Sequence, residues 1–425
     1  VVVDWPIRYA DMAPWWSHVE RFVGVQGRRE GLPQLPDGEF LEPWPMNVAE
    51  QQAREVLLQK FNGERLITNM RLAVLSEDHL GRAKCHLCGH CERGCITRSY
   101  FSSLNATLPV AQATGRLTLR PFSIVHSVIF DPRTRRAKGV RVVDANTRQM
   151  FEVYARIVFL NASALESARI LLNSATPEFP TGLGNSSGEL GHNVMDHIMG
   201  GGATATLPWA RDRRELGNRP DAIYVPRFRN VKDKHPDFVR GYGFEGRASR
   251  QGWQRGMHMD GFGPGFKQSL IGDLGPWQMT LYGFGEMLPK HENRIEIDPH
   301  LVDAWGIPAL RITVAYGENE KKLLDDMVVS ATEMFEAMGA TDISPIKDDN
   351  PPGLVIHEMG TARMGRDPKT SVLNAHNQMW DVPNVFMTDG ACMASTANQN
   401  PSITYMALTA RAVDFAVGAI NRHEL

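Results

Sequence analysis

Apolar residues along the 425-residue chain follow two periods. Spacings of three and four mark helices. Trp15, Val19 and Phe22 predict one over 10–25, with Asp11 as its cap. Further helices are expected over 48–61, 164–172, 318–338 and 402–420. In the last, Ile403, Met406, Ala410, Val413, Val417 and Ile420 form one stripe, predicted to be buried. Short β-rich runs at 117–119, 124–130, 139–143 and 150–154 predict strands, with a turn at Asp131-Pro132-Arg133-Thr134. The run 156–160 is continuously apolar, as suits a strand buried on both faces. Small residues Asn161-Ala162-Ser163 join it to the helix at 164, giving the strand–turn–helix unit of an α/β fold. The middle of the chain has another texture, rich in glycine and aromatics, with strands expected at 279–282 and 294–297. The tail returns to α/β texture: a strand at 384–388, a turn at Asp389-Gly390 and the final helix. The expected architecture is α/β with an inserted α+β domain. Residues 1–200 form the first part of the α/β domain, 201–350 the insertion and 351–425 the last part.

Composition narrows the class. Hydrophobic residues are 42% and charged residues 22%, which is ordinary for a globular protein and excludes disorder, collagen and coiled coil. A formal charge of −2 offers no basic field for nucleic acid or anionic lipid. No apolar run approaches the length of a membrane span, so none is expected. Residue 1 is Val, and Val1-Val2-Val3-Asp4-Trp5-Pro6 does not read as a signal peptide. The chain is therefore expected to be processed or cut, which leaves the compartment open between periplasm and cytoplasm.

Of five cysteines, four crowd into Cys85-His86-Leu87-Cys88-Gly89-His90-Cys91-Glu92-Arg93-Gly94-Cys95. Four thiolates in a C-x2-C-x2-C-x3-C run can wrap one iron–sulfur cluster, with glycines letting amides approach the sulfurs. Ile96 follows, where ferredoxin runs carry Pro, and no second run exists. Zinc is the runner-up, although zinc sites usually split their cysteines into two separated pairs. Two disulfides are the third reading, for an exported protein. Cys392 stands apart and reads as a small buried residue.

The tail carries the sharpest chemistry: His357-Glu358-Met359-Gly360-Thr361-Ala362-Arg363-Met364-Gly365, then Ser371-Val372-Leu373-Asn374, then Asn384-Val385-Phe386-Met387-Thr388-Asp389-Gly390-Ala391, and Asn400-Pro401-Ser402-Ile403-Thr404. Upstream stand Asp4-Trp5-Pro6, Ala164-Leu165-Glu166-Ser167-Ala168-Arg169, Asn185-Ser186-Ser187-Gly188 and Met195-Asp196-His197. In this order the motifs resemble the glucose–methanol–choline (GMC) flavoprotein oxidoreductases, over nearly the whole chain. The run 371–374 with Gln378-Met379-Trp380 looks similar to pyranose oxidases and bacterial sugar dehydrogenases, including glucoside 3-dehydrogenases.

The resemblance implies an FAD-binding Rossmann-like domain and oxidation of a sugar or glycoside hydroxyl. It gives His357 the role of proton acceptor, for which a neutral imidazole is suited. It gives Asn400 the holding of the developing alkoxide. Val125, Asp389, Gly390, Asn400, Pro401 and Ser402 are the expected FAD contacts, with Asn400 also capping the final helix and Pro401 opening it. His197 reads as a structural residue near the cofactor. Trp253, Trp277 and Trp305 are candidates for stacking on a sugar, although large aromatics more often serve packing. Some relatives hold an iron–sulfur cluster through comparable cysteines, so the resemblance implies that identity for Cys85, Cys88, Cys91 and Cys95. It also implies an electron-accepting partner such as a cytochrome, and a small accessory subunit with an export signal. Two other readings stand beside it: an oxygen-using oxidase with structural cysteines, and a non-catalytic metal-binding electron-transfer module. One element is missing. No G-x-G-x-x-G turn precedes the cysteines, and Gly261-Phe262-Gly263-Pro264-Gly265 contains Pro and falls in the insertion. FAD binding by this stretch alone is expected to be weak.

Overall fold

The computed structural model describes residues 3–213, 215, 219–220, 222–272, 274–348 and 350–425. The chain opens with helix α1 (Tyr9–Val23), whose first turn is tied by the Asp11 carboxylate accepting the Arg8 amide at 2.7 Å. Asp11 thus acts from the third helical position rather than as the cap. Helix α2 (Val48–Lys60) starts at a reciprocal box: Asn47 accepts from the Glu50 amide, and Glu50 from the Asn47 amide. Strand β1 (Thr68–Asn69) follows, then the cysteine loop and helix α3 (Leu108–Ala113). Residues 117–119, expected as a strand, are irregular and partly exposed. They pair with no strand, and alternation alone cannot supply a partner.

Strands β2 (Ser123–Asp131), β3 (Arg136–Asp144) and β4 (Met150–Tyr154) form an antiparallel meander. Strand β5 (Val158–Phe159) then leads into helix α4 (Ala164–Leu172). The second half of the chain supplies strands β6 (His197–Leu207), β7 (Ile223–Val225) and β8 (Tyr242–Arg250), then helix α5 (Gly263–Gly272) and strand β9 (Trp277–Glu286). The hairpin β10 (Arg294–Val302) and β11 (Pro308–Thr313), helix α6 (Glu318–Ala337) and strand β12 (Thr341–Lys347) complete that part. The tail holds strand β13 (Val385–Phe386) and helix α7 (Ser402–Asn421).

Two layers result. The first is α/β: β5 and β13 pair in parallel, and Asn384 joins them to β3 by exchanging bonds with the Ala137 backbone and donating to the Arg156 carbonyl. α1, α4 and α7 pack around this pair in one core. The second is a six-stranded antiparallel sheet, ordered β1-β7-β8-β9-β6-β12, with α6 across one face. Glycine explains the close fit: a Cβ on Gly201 would meet Met327 Cβ at 2.7 Å, so the bare backbone lets α6 seat. α2 and β1 belong to this second core although they precede residue 200.

The stripe expected on α7 is not the buried one. Ala407, Leu408, Ala412, Ala416 and Ala419 face the core, whereas Val413 and Val417 are exposed. Alanines admit close helix-to-strand approach, which side-chain size alone does not reveal. α7 is also long and apolar enough to meet the length and composition test for a membrane span, contrary to the expectation of none, but its alanine face is committed to the core.

Candidate active site

His357 lies on an irregular segment that, just after it, is held between two backbones. On one side the Met359 and Met195 backbones exchange hydrogen bonds; on the other the Gly360 amide donates to the Gly390 carbonyl. A Cβ on Gly390 would stand 2.3 Å from the Glu358 carbonyl, so that position must be glycine for the two segments to touch. Asp196 organises the turn before His357. Its buried carboxylate accepts four amides: His197 at 2.8 Å, Gly353 at 2.8 Å, Val355 at 3.4 Å and His357 at 3.3 Å.

The His357 Nδ1 lies 3.1 Å from the His197 Nδ1, with the rings edge to face at 5.0 Å. Burial lowers the His357 pKa, with the Asp196 charge opposing. His197 is fully buried, and desolvation followed by the neighbouring His357 charge holds its pKa down at about 3. Both rings are therefore neutral at pH 7. The Ala397 carbonyl faces His197, which links the pair to the segment leading to Asn400.

Asn400 is not the helix cap. Pro401 takes that position, no side chain caps α7, and Asn400 is exposed. It instead lines a cavity of about 370 Å³, open to solvent at its mouth. Tyr9 and Trp16 from α1 form one wall, with ring centroids 5.6 Å apart. Asn69, Arg71, Tyr224 and Glu245 form another, from β1, its flank and the sheet. Glu245 has no ion-pair partner among the described residues, and desolvation pushes its pKa up to about 7. The Arg71 guanidinium sits 4.6 Å over the Phe40 ring, its Nε buried without a bond. His357 is not among the cavity-lining residues. The expected Trp253, Trp277 and Trp305 do not line it either: Trp277 is buried and donates to the Ala210 carbonyl, Trp305 donates to the Ala145 carbonyl, and Trp253 is exposed. Trp16 and Tyr9 are the aromatics the sequence reading missed. The only signal was their place on the first helix, beside the Asp4-Trp5-Pro6 motif that Trp5 pins to Ser395 at 2.8 Å.

The remaining expected cofactor contacts divide. Gly390, Pro401 and Ser402 do not line the cavity; Ile403 and Thr404, which were not expected contacts, open on it with Asn400 from the first turn of α7, and a helix start leaves its first amides without carbonyl partners. This end fits an anionic or electron-rich ring. Asp389 turns inward instead, accepting from the Ser167 hydroxyl and, at 3.0 Å, from the Ala391 amide; burial raises its pKa. Val125 sits half-buried on β2, opposite Val142.

The four clustered cysteines are free thiols, which removes the disulfide reading, and all four line one small pocket. Leu87 donates its amide to Cys85 and Tyr100 to Cys95, each at 3.4 Å. Burial raises the Cys85 pKa. Burial also pushes Cys95 upward, but the Thr97 hydroxyl and the surrounding amides outweigh it and the net shift is downward. Among the described residues no group of three or more His, Cys, Asp or Glu side chains is arranged to hold a metal ion, so neither the expected iron–sulfur cluster nor the zinc runner-up finds a preformed site on Cys85, Cys88, Cys91 and Cys95. Cys392 is buried, as expected.

The comparisons with known proteins agree with this frame. The GMC oxidoreductase family models match residues 61–199 and 289–409, together well over half the chain. The chain is 28% identical to the 2-methyl-1,2-propanediol dehydrogenase of Mycolicibacterium austroafricanum, over 97% of this chain and 74% of that one. It is 25% identical to the fructose dehydrogenase large subunit of Gluconobacter japonicus, with the same two coverages of 97% and 74%. An FAD-dependent oxidoreductase from Chaetomium thermophilum shares the fold, with a TM-score of 0.54 at 11% identity, over 97% of this chain and 80% of that one. With motif order, layer architecture and both family models in agreement, this chain belongs to the GMC oxidoreductase family, FAD-dependent enzymes acting on CH–OH groups.

Proposed function

We propose that the chain oxidises a secondary hydroxyl of a sugar or glycoside to the ketone. The observation that carries this reading is the large cavity with Asn400 on its lining, an aromatic wall of Tyr9 and Trp16, and a polar wall of Asn69, Arg71 and Glu245. A flat polyhydroxylated ring suits such a site, its apolar face against the aromatics and its hydroxyls toward the polar groups. The fructose dehydrogenase relative supports the same class of substrate.

In this reading a substrate that reaches past the cavity lining gives its hydroxyl proton to His357 at Nε2, a nitrogen with no hydrogen-bond partner among the described residues. The Asn400 carboxamide donates to the oxygen as it gains charge. FAD, when bound, supplies the hydride acceptor. Val125 would meet its adenine end, while Asp389, Gly390, Asn400, Pro401 and Ser402 would hold the flavin end, Asp389 through the turn it braces. Cys85, Cys88, Cys91 and Cys95 would hold an iron–sulfur cluster that passes electrons to a partner redox protein. Their shared pocket and the amide bonds to two of the sulfurs favour this, but the loop would have to close around the cluster, since the four thiols are not already arranged about a metal position. In this reading residues 1–200 and 351–425 would carry the cofactor and also line much of the substrate cavity, to which 201–350 adds Tyr224 and Glu245.

The test is turnover of sugars, glycosides and small branched diols with an artificial electron acceptor, alongside iron and sulfide analysis. Sugar oxidation with bound flavin and iron is expected, and His357→Ala should lose on the order of 10²–10⁴ in rate. Turnover of the diols alone would overturn the sugar assignment. Absence of iron, with oxygen serving as acceptor, would replace the relay by an oxidase with structural cysteines.

A further inference from the structure

The geometry points to His197 as the residue that sets the tautomer of His357: it accepts the Nδ1 proton of His357 and so leaves the Nε2 lone pair of that ring free to take the substrate proton. This rests on the reading of His357 as proton acceptor.

Each ring nitrogen of a neutral imidazole either donates or accepts. Two Nδ1 atoms 3.1 Å apart need one proton between them, so one ring donates and the other accepts. His197 is fully buried, with no carboxylate bonded to its ring, and stays neutral; it carries one ring proton. Its Nδ1 is taken up by His357, which leaves Nε2 as the nitrogen beside the Ala397 carbonyl. That nitrogen has no fully formed hydrogen bond, and a carbonyl offers only an acceptor. A lone pair aimed at a carbonyl would be repelled in a desolvated site, so the His197 proton sits on Nε2 and its Nδ1 is the acceptor. His357 must then carry its own proton on Nδ1. The opposite assignment would put a proton on the His357 Nε2 and leave that ring no lone pair to offer a substrate.

The surroundings hold His197 in this orientation. Its ring meets Phe284 edge on, with centroids 6.3 Å apart, and its backbone carbonyl accepts from the Tyr316 hydroxyl at 2.8 Å. Its amide is bound by Asp196, the same carboxylate that binds the His357 amide. Asp196 is also the charge that acts on the His357 ring. When His357 takes a proton, its O–H bond partner loses that proton, the new bond is Nε2–H, and the Nδ1–H bond to His197 strengthens because its donor is now cationic. His197 is a positioning residue in this scheme, not a group that touches substrate.

Nitrogen-15 spectra of histidine-labelled protein, assigned with His357→Ala, read the tautomer directly and need neither substrate nor flavin. The expected result is a pyrrole-type Nδ1 and a pyridine-type Nε2 for His357, reversed for His197. A proton on the His357 Nε2 would overturn the inference. Two variants carry it to function. His197→Phe removes the acceptor and should lower the rate of substrate oxidation on the order of 100-fold, with the basic group in the pH–rate profile moved to lower pH. His197→Asn places a carbonyl oxygen near the lost Nδ1 and should recover the rate to within about tenfold of the parent. Equal losses in both variants, with an unmoved pH profile, would reduce His197 to packing. Should His197→Phe fail to fold, the spectra and His197→Asn still decide. If the tautomers are as expected but His357→Ala keeps full turnover, the proton-acceptor reading falls while the tautomer assignment stands.

Discussion

The hydrogen bonds that hold His357 reach across 157 to 161 residues of sequence, from Asp196 and His197 to the turn at 353–357. Those around the cysteines reach across two to five residues, from Leu87, Thr97 and Tyr100 to Cys85 and Cys95. One centre is assembled from distant segments, with His197 fully buried and His357 half-buried. The other is a local loop, with Cys88 exposed and Ile96 85% exposed beside it. The contrast separates two ways of making a reactive site. A long-range site inherits its rigidity from the core, because each contact was closed at the entropic cost of a large loop and is backed by packing. A local loop takes its shape from a few turns, and a bound group would have to supply the rest of its order.

Removing the hub of the long-range centre should have the largest effect. Asp196→Ala leaves four amides, two of them buried, without their acceptor and is expected to cost roughly 3 kcal/mol of unfolding free energy. It should also remove most activity by releasing the 353–357 turn. Urea unfolding measures it, and a loss under about 1 kcal/mol would mean the turn is held elsewhere.

Glu245 gives a pH-dependent version of the same burial. Its folded pKa of about 7 stands above the ordinary 4.5, so the native state keeps a proton that the unfolded chain releases. Its contribution is therefore fully present below pH 4.5 and is lost as pH rises through 7. Glu245→Gln, which cannot ionise, should gain stability relative to the parent across that window and run parallel to it above. A difference that stays constant from pH 4 to 8, on the order of the whole titration range, would show that Glu245 is already solvated or paired.

The smallest effect on the fold is expected at the loop. Cys88→Ser should change unfolding free energy by no more than about 0.5 kcal/mol in metal-free protein, since the side chain is exposed. Under the proposed relay the same variant should slow electron delivery to a large protein acceptor while sparing reduction of the flavin by substrate. A large loss of stability in the metal-free protein would make the loop structural and erase the contrast.

Much of this architecture was legible before any coordinates. The helices at 164–172, 318–338 and 402–420 and the parallel strand near 158 follow from periodicity, because each buries one face against one neighbour. The cysteine loop was legible for a related reason: its ligand types are local, and spacing records them. The motif order of the tail announced the family. The failures share a cause. The buried face of α7 is alanine rather than valine, since what decides it is how near β5 and β13 approach. Asn400 reads as a cap in any local window, yet its side chain lines the cavity. Tyr9, Trp16, Asn69, Arg71, Tyr224 and Glu245 share that cavity although they lie on five segments, and no window contains more than two of them.

Residue order alone determined which elements form, which family they assemble into and where four thiols lie together, since these depend on contacts within a turn or on period. The tertiary structure alone decided that two histidines 160 positions apart share a hydrogen bond, and that one carboxylate holds both their amides. It also decided that Glu245 is partly desolvated and so pushed toward its neutral form. Proton placement and pKa depend on desolvation and on separations of a few ångströms, and those quantities do not exist until the layers have packed.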